Sequence, residues 1–374
     1  MKKKPTLVIA LGLAIACFVG ASSADQHFSH PFYQQHNLVS DGSTTADHVD
    51  PNLVNAWGVA FNPFGFVWVA NNGTGTSTLY DGAGVAQSLV VQIPTPTANT
   101  GGPVTGIVYN GSGGFLVKNA TTSGASRFLF ATEGGVIAGW SPTVDGTHAI
   151  VAVDNSAQSA IYKGLALSAG GSGQLLYATD FHNGKIDVFD STFTAVSLPA
   201  GSFTDPRIPS DFAPFGIQAI NGDIYVTYAK QDDDKKDNVN GQGLGYVDVY
   251  DPKGTLLDRV ATRGALNAPW GIALAPAGFG EFSNSLLIGN FGDGKINAYN
   301  TKNYAFRGSL RGQDSRFIQI DGLWGLAFGS GFANQPVNTL FFAAGPNDEA
   351  NGLYGRIDAS PAGGNTNSDD QSGD

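Results

Sequence analysis

Cysteine is nearly absent from this chain. The single copy, Cys17, sits inside an apolar run near the N-terminus. A chain cleaved beyond that run would carry no thiol, which excludes disulfides, thiolate catalysis and cysteine-ligated metal and suits an oxidising compartment. Charge is also sparse, at 14% of residues, and positive charge is the scarcer sign, with 20 Lys and Arg against 31 Asp and Glu. No basic cluster lies beyond Lys2, Lys3 and Lys4. Such a surface repels nucleic acid and anionic membranes, so neither is expected as a partner. Nucleophile elbows, phosphate-binding glycine loops and His-rich zinc spacings are missing as well, and no cofactor is expected.

The basic start Lys2–Lys4 is followed by an apolar stretch from Thr6 to Gly20, too short and too rich in Gly and Ala for a good membrane span. Ser22-Ser23-Ala24 then offers small residues for cleavage before Asp25. Residues 1–24 therefore read as a secretory signal, with a lipoprotein signal around Ala14-Ile15-Ala16-Cys17 as the alternative. Loss of the signal removes three Lys and no acid, leaving 17 basic against 31 acidic residues and a net charge of −14. A secreted or periplasmic protein with no membrane span in the mature chain is expected. Cleavage after Ala24 would place His27 third, behind Asp25 and Gln26. A terminal amine, two amides and an imidazole then supply the four nitrogens that Cu(II) or Ni(II) prefers in a square; the other reading is a chance third-position His.

What the chain does have is glycine, 51 residues of it, together with 24 Phe and 12 Tyr. Six glycines, at 58, 106, 164, 216, 271 and 325, each precede Val, Ile or Leu at the head of an apolar run. Their spacing of roughly fifty to sixty residues fits a four-stranded propeller blade with generous loops. Each copy continues with hairpin-like alternation around Asn-Gly or Asp-Gly turns, as in Leu175–Thr179, His182-Asn183-Gly184 and Ile186–Asp190. The expected fold is all-β, one six-bladed propeller over residues 25–358, followed by a disordered acidic tail, 359–374. The sixth copy has no outer strand after Ile357, while Phe32–Val39 is strand-like and unpartnered at the other end. An open edge is a liability, so the N-terminal strand is expected to close the last blade beside Leu353–Ile357. A monomer is expected.

The residues before the six glycines form the sharpest constellation: Trp57, Thr105, Lys163, Phe215, Trp270 and Trp324. At the head of six innermost strands they would ring the central channel. Trp and Phe offer flat apolar faces that suit sugar rings or planar ligands; equally, they would plug the channel. A second ring is expected from the turns after the second strands, with Asn71, Asn72, Glu133, Asp180, His182, Lys230, Asn290, Phe291, Asn347, Asp348 and Glu349. Glu133, Asp180 and His182 have acid–base or metal-binding chemistry, although Asn and Asp also populate such turns for local hydrogen bonding. The acidic insertion in the loop 231–245, Asp232-Asp233-Asp234-Lys235-Lys236-Asp237-Asn238, reads either as a Ca²⁺ loop or as a solvated hairpin loop.

The stretches Asn37–Asp41, Asp50–Gly58, Tyr228–Asp232, Gly289–Gly294 and Ala344–Glu349 resemble a family of uncharacterised bacterial secreted propellers, many of which end in a PEP-CTERM sorting signal. The likeness covers about residues 37 to 357 and implies a fold and a location but no activity. Pro-Glu-Pro and an apolar helix are missing at the C-terminus, which implies release rather than sorting. Pro269-Trp270-Gly271-Ile272-Ala273 is similar, more distantly, to the blade openings of NHL-type propellers. Gluconolactonase- and paraoxonase-type propellers are similar too, but they place Glu, Asn and Asp before these glycines to hold a catalytic Ca²⁺, and none of the six residues here is a carboxylate or an amide. The expected function is a binding or scaffold protein that uses the funnel face for a small molecule, a carbohydrate or an extracellular protein. The alternatives are a metal-dependent lactonase or esterase and a matrix component with no small ligand.

Overall fold

A computed structural model describes Met1, residues 31–170 and residues 173–360. The expected signal segment, the Asp25–His27 motif and the acidic tail from 361 onward lie outside the described residues. The chain forms six blades around one axis. Blade 1 holds Ala56–Phe61, Val67–Asn71, Thr76–Tyr80 and Ala86–Gln92 from the axis outward; blade 2 holds Val104–Tyr109, Phe128–Thr132, Val136–Trp140 and Ile150–Asp154. Blade 3 has three strands, Tyr162–Gly170, Gly173–Asp180 and Lys185–Phe189. Blade 4 holds Phe212–Ile220, Asp223–Lys230, Tyr246–Tyr250 and Leu256–Thr262; blade 5 holds Pro269–Leu274, Ser285–Asn290, Ile296–Asn300 and Phe306–Ser309.

Blade 6 is assembled from both ends of the fold. Leu323–Phe328, Leu340–Ala344 and Leu353–Ser360 are joined by the N-terminal strand Phe32–Ser40, which runs antiparallel to Leu353–Ser360 with Gln35 opposite Ile357. A two-residue strand, His48–Val49, adds a parallel fifth member outside it. Tyr33 anchors the entry: its hydroxyl donates to the Phe279 carbonyl at 3.0 Å and accepts the Phe282 amide at 2.9 Å, and its ring stacks on Phe282. The closing strand is thereby fixed to blade 5 as well as to blade 6.

The six repeated glycines mark where the blades meet. A β-carbon on Gly58 would lie 2.6 Å from the Thr105 carbonyl oxygen, one on Gly164 2.8 Å from that of Phe215, and one on Gly216 2.0 Å from that of Trp270. Gly271 stands in the same relation to Trp324, at 2.6 Å, and Gly325 to Trp57, at 2.4 Å. Gly106 completes the circuit against the Leu165 amide, at 2.5 Å. Each glycine thus admits the backbone of the next blade, and the sixth leads back to the first. The repeat is a steric requirement of the closed ring. Apolar side chains fill the wedges between blades, as where Trp68 stacks on Phe128 beside Trp140.

Candidate functional site

In every blade the pairing of the first strand with the second slips by one residue around the position before the glycine. In blade 1 Ala56 faces Asn71 and Val59 faces Val69; in blade 6 Leu323 faces Ala344 and Leu326 faces Phe342. Blades 2 to 5 slip at the corresponding place. A one-residue bulge bends the strand and redirects a side chain. Repeated six times, it frees the residue before each glycine from its ladder.

Four of these six side chains meet at the axis. Trp57 stacks on Trp324 with ring centroids 3.6 Å apart, Trp270 sets its edge against both, and Phe215 tilts against Trp324. Phe291 stacks on the other side of Trp324 at 4.1 Å, and Phe181 tilts against Phe215. Trp57 and Trp324 are each 1% exposed and Phe215 is fully buried. The aromatics pack on one another as a floor across the channel. The Trp270 indole donates to the Lys163 carbonyl at 3.1 Å and that of Trp324 to Asn55 Oδ1 at 3.3 Å, while the Trp57 N–H is buried without a protein partner. Thr105 is turned to structural work, bonding the Ala131 and Tyr162 carbonyls.

Lys163 carries its ammonium over the Trp57 ring, 5.1 Å from the centroid, at 1% exposure. Nζ meets Glu133 Oε1 at 2.5 Å and Asp237 Oδ1 at 2.9 Å. From there a chain of hydrogen bonds crosses the axis. Glu133 Oε2 accepts from Asn72 Nδ2 at 3.0 Å, Asn72 Oδ1 accepts from Asn55 Nδ2 at 3.4 Å, and Asn55 Nδ2 also donates to Glu349 Oε2 at 2.7 Å. Burial pulls the Lys163 ammonium down, but Glu133 and Asp237 outweigh it and hold the group above its ordinary value. Burial pushes the Glu349 carboxyl up, against the Asn55 hydrogen bond and the Lys163 charge. Glu349 arrives through backbone in the left-handed region at three successive residues, Asn347, Asp348 and Glu349, with φ of 61°, 52° and 65°. Such a run in non-glycine residues is held only by its surroundings.

The turn residues thus part company. Glu133, Asn72 and Glu349 reach this polar layer. Asp180 is buried in its own turn, accepting from the Ile161 and Asn183 amides and pairing with Lys185. Asn290 likewise donates to the Ala265 carbonyl, in the loop that leads into blade 5, and to Asp293 in its own turn. His182 lines a separate pocket of about 290 Å³ between blades 3 and 4, with Phe212 and Tyr228. Nothing in the sequence marks Asn55 as a site residue, and Asp237 falls in the insertion read either as a Ca²⁺ loop or as a solvated hairpin loop. Among the described residues, no group of three or more His, Cys, Asp or Glu side chains is arranged to hold a metal ion.

Two viral proteins match this chain over most of its length. Uncharacterized protein R648 of Acanthamoeba polyphaga mimivirus is 34% identical over 327 residues, 86% of this chain and 78% of that one. Uncharacterized protein L690 of the same virus is 30% identical over 346 residues, 89% of each. The chain belongs to their family. No protein-family model matches it. The resemblance noted from sequence was to bacterial secreted propellers; these relatives are viral, and the propeller fold is the part of that expectation that stands. Among solved structures, the soluble aldose sugar dehydrogenase of Escherichia coli superposes with a TM-score of 0.52 at 13% identity, covering 87% of this chain and 99% of that one. Virginiamycin B lyase from Staphylococcus aureus gives 0.50 at 15% identity over 88% and 99%. At such identities the likeness speaks to the fold alone. No helix among the described residues is long and apolar enough to cross a membrane.

Proposed function

We propose that the protein is a secreted propeller that binds a small polar ligand, a carbohydrate above all, at the funnel face. The observation that carries this reading is the polar layer over the aromatic floor. Blade 1 with its entry loop supplies Asn55 and Asn72, blade 2 Glu133, blade 3 Lys163, blade 4 Asp237 and blade 6 Glu349; blade 5 contributes Trp270 and Phe291 beneath. Carboxylates and amides with fixed partners, set on a dry aromatic bed, suit a ligand rich in hydroxyls, since each group offers further acceptor or donor capacity. The tryptophans act as the bed, so the affinity is assigned to the polar layer above them. Thermal-shift and calorimetric titrations with monosaccharides, oligosaccharides and Ca²⁺ test the reading, because a specific ligand stabilises the native state. Glu133→Gln and Asn72→Ala should each weaken a sugar that binds by about 1–2 kcal/mol. Binding unchanged in both variants overturns it.

One observation favours catalysis at the same place. Glu349 is a half-buried carboxyl with its proton affinity raised, beside Glu133, Lys163 and Asp237, and groups so tuned serve as general acids. On that reading the protein is a hydrolase or lyase. Turnover of a lactone or glycoside lost in Glu349→Gln, with binding retained, would select it.

A further inference from the structure

Blade 3 lacks the outermost strand that the other five blades possess. After Lys185–Phe189 the chain turns back and makes one antiparallel bridge, Phe189 with Ala195, in which the Val196 amide donates to the Val188 carbonyl at 2.8 Å. It then leaves the sheet through Leu198 and Pro199 toward Phe203, whose amide bonds Gly254 in blade 4. Because the Val188 carbonyl points away from the blade, strand alternation turns the Val188 amide and both polar groups of Ile186 outward too. No other intramolecular backbone bond occupies them among the described residues.

The place of the missing strand is a cavity of about 260 Å³. The edge from Lys185 to Phe189 forms one wall, Asn155, Gln158 and Ala160 a second, and the departing segment from Ala195 to Phe203 a third. Val188 and Phe203 give it an apolar floor, while Asn155 and Gln158 line the opening. The other blades show what this position can hold. Five blades hold an extended strand at this position, and in blade 6 that strand comes from the other end of the chain rather than from its own repeat.

We propose that blade 3 is a docking site for an extended peptide segment of a partner protein, which adds as its fourth strand. The segment pairs with the Ile186 amide and carbonyl and the Val188 amide. It places one small apolar side chain against Val188 and Phe203, with polar residues to either side. Main-chain bonds supply the affinity and the cavity supplies the selectivity. The site is separate from the polar layer at the axis and does not depend on what binds there.

The probe is a capped peptide, Thr-Thr-Val-Thr-Thr, with a fully N-methylated counterpart, both titrated into the full chain. Amide hydrogen exchange is read residue by residue. Without peptide, Ile186 and Val188 should exchange about tenfold or more faster than Asp187 and Phe189, whose amides face the inner strand. With peptide, exchange should slow at Ile186 and Val188 and nowhere else along the edge. The N-methylated peptide should bind no more than buffer does. Ile186→Pro removes only an outward amide and should abolish binding with the circular dichroism unchanged; should that variant not fold, the N-methylated arm decides. Three results overturn the proposal: equal binding of both peptides, protection that appears elsewhere, or Ile186 and Val188 amides that are slow without peptide. Protection that instead grows with protein concentration assigns the edge to a second copy of this chain and overturns the partner assignment.

Discussion

Blades 6 and 3 face the same problem and meet it differently. In neither does the described chain that follows the third strand supply a fourth. In blade 6 the gap is filled by Phe32–Ser40, paired along its length with Leu353–Ser360 and pinned by Tyr33 to blade 5. In blade 3 the following segment makes a single bridge and departs. Blade 6 is where the ring closes, so its outer strand also ties the first part of the chain to the last. Blade 3 lies mid-chain, where covalent continuity already holds it between its neighbours. An unpaired edge is tolerable where it carries no closure and costly where it does.

The largest test of this contrast is removal of the chain through residue 40. The melting temperature should fall by at least ~10 °C, since a whole strand and its anchor are lost; an unchanged transition would mean the ring closes without that strand. Proline in the two third strands comes next. Arg356→Pro enters a strand paired on both sides and should cost about 3 kcal/mol or more, whereas Ile186→Pro should cost under about 1 kcal/mol. Equal losses by denaturant titration would erase the distinction. At the axis the two blades meet again, as blade 3 supplies Lys163 and blade 6 delivers Glu349. Lys163→Met leaves Glu133 and Asp237 without their counter-charge and should cost about 3 kcal/mol; a smaller loss would show that water reaches the pair.

The smallest effect concerns Glu349. Burial raises its folded pKa above the ordinary 4.5, so the folded state holds this proton more tightly than the unfolded chain does. The resulting stability is fully present below about pH 4.5 and is lost as pH rises through the folded value. Glu349→Gln keeps an acceptor for Asn55 without that loss. It should be the more stable form at pH 8 and show no advantage at pH 4. Parallel pH–stability curves for the two proteins would show that Glu349 does not titrate with folding.

The ring was legible in the chain because its requirement is local and repeated. A glycine pressed against the next blade's carbonyl must recur once per blade, so Gly58 and its five counterparts announce both the fold and its period. The closing strand was legible by subtraction, from a sixth repeat that ends too soon beside an unpaired Phe32–Val39. The site was legible only in part. Trp57, Phe215, Trp270 and Trp324 share a position in the repeat and meet at the axis, but their burial depends on a bulge in strand pairing that alternation does not reveal. Glu133 and Asp180 look alike as turn acids; one faces Lys163 across a blade boundary and the other its own backbone. Asp237 belongs to an insertion with no counterpart in the other repeats, so no periodic argument could carry it to the axis. The open edge of blade 3 was invisible because Thr194–Leu198 has the composition of a strand and departs only in space.

The stacked indoles give the protein an optical reporter. Trp57 comes from the first blade and Trp324 from the last, and their rings lie 3.6 Å apart across the seam where the circle closes. Two chromophores that close couple their transitions, so the pair should produce an exciton couplet in the ultraviolet circular dichroism. Trp68 and Trp140 form a second close pair within the wedge between blades 1 and 2, so the seam's share is the part of the couplet lost in Trp324→Phe. A chain that keeps its strands but lets the first and last blades part would lose that share first, giving a spectral sign of ring opening before any strand is lost.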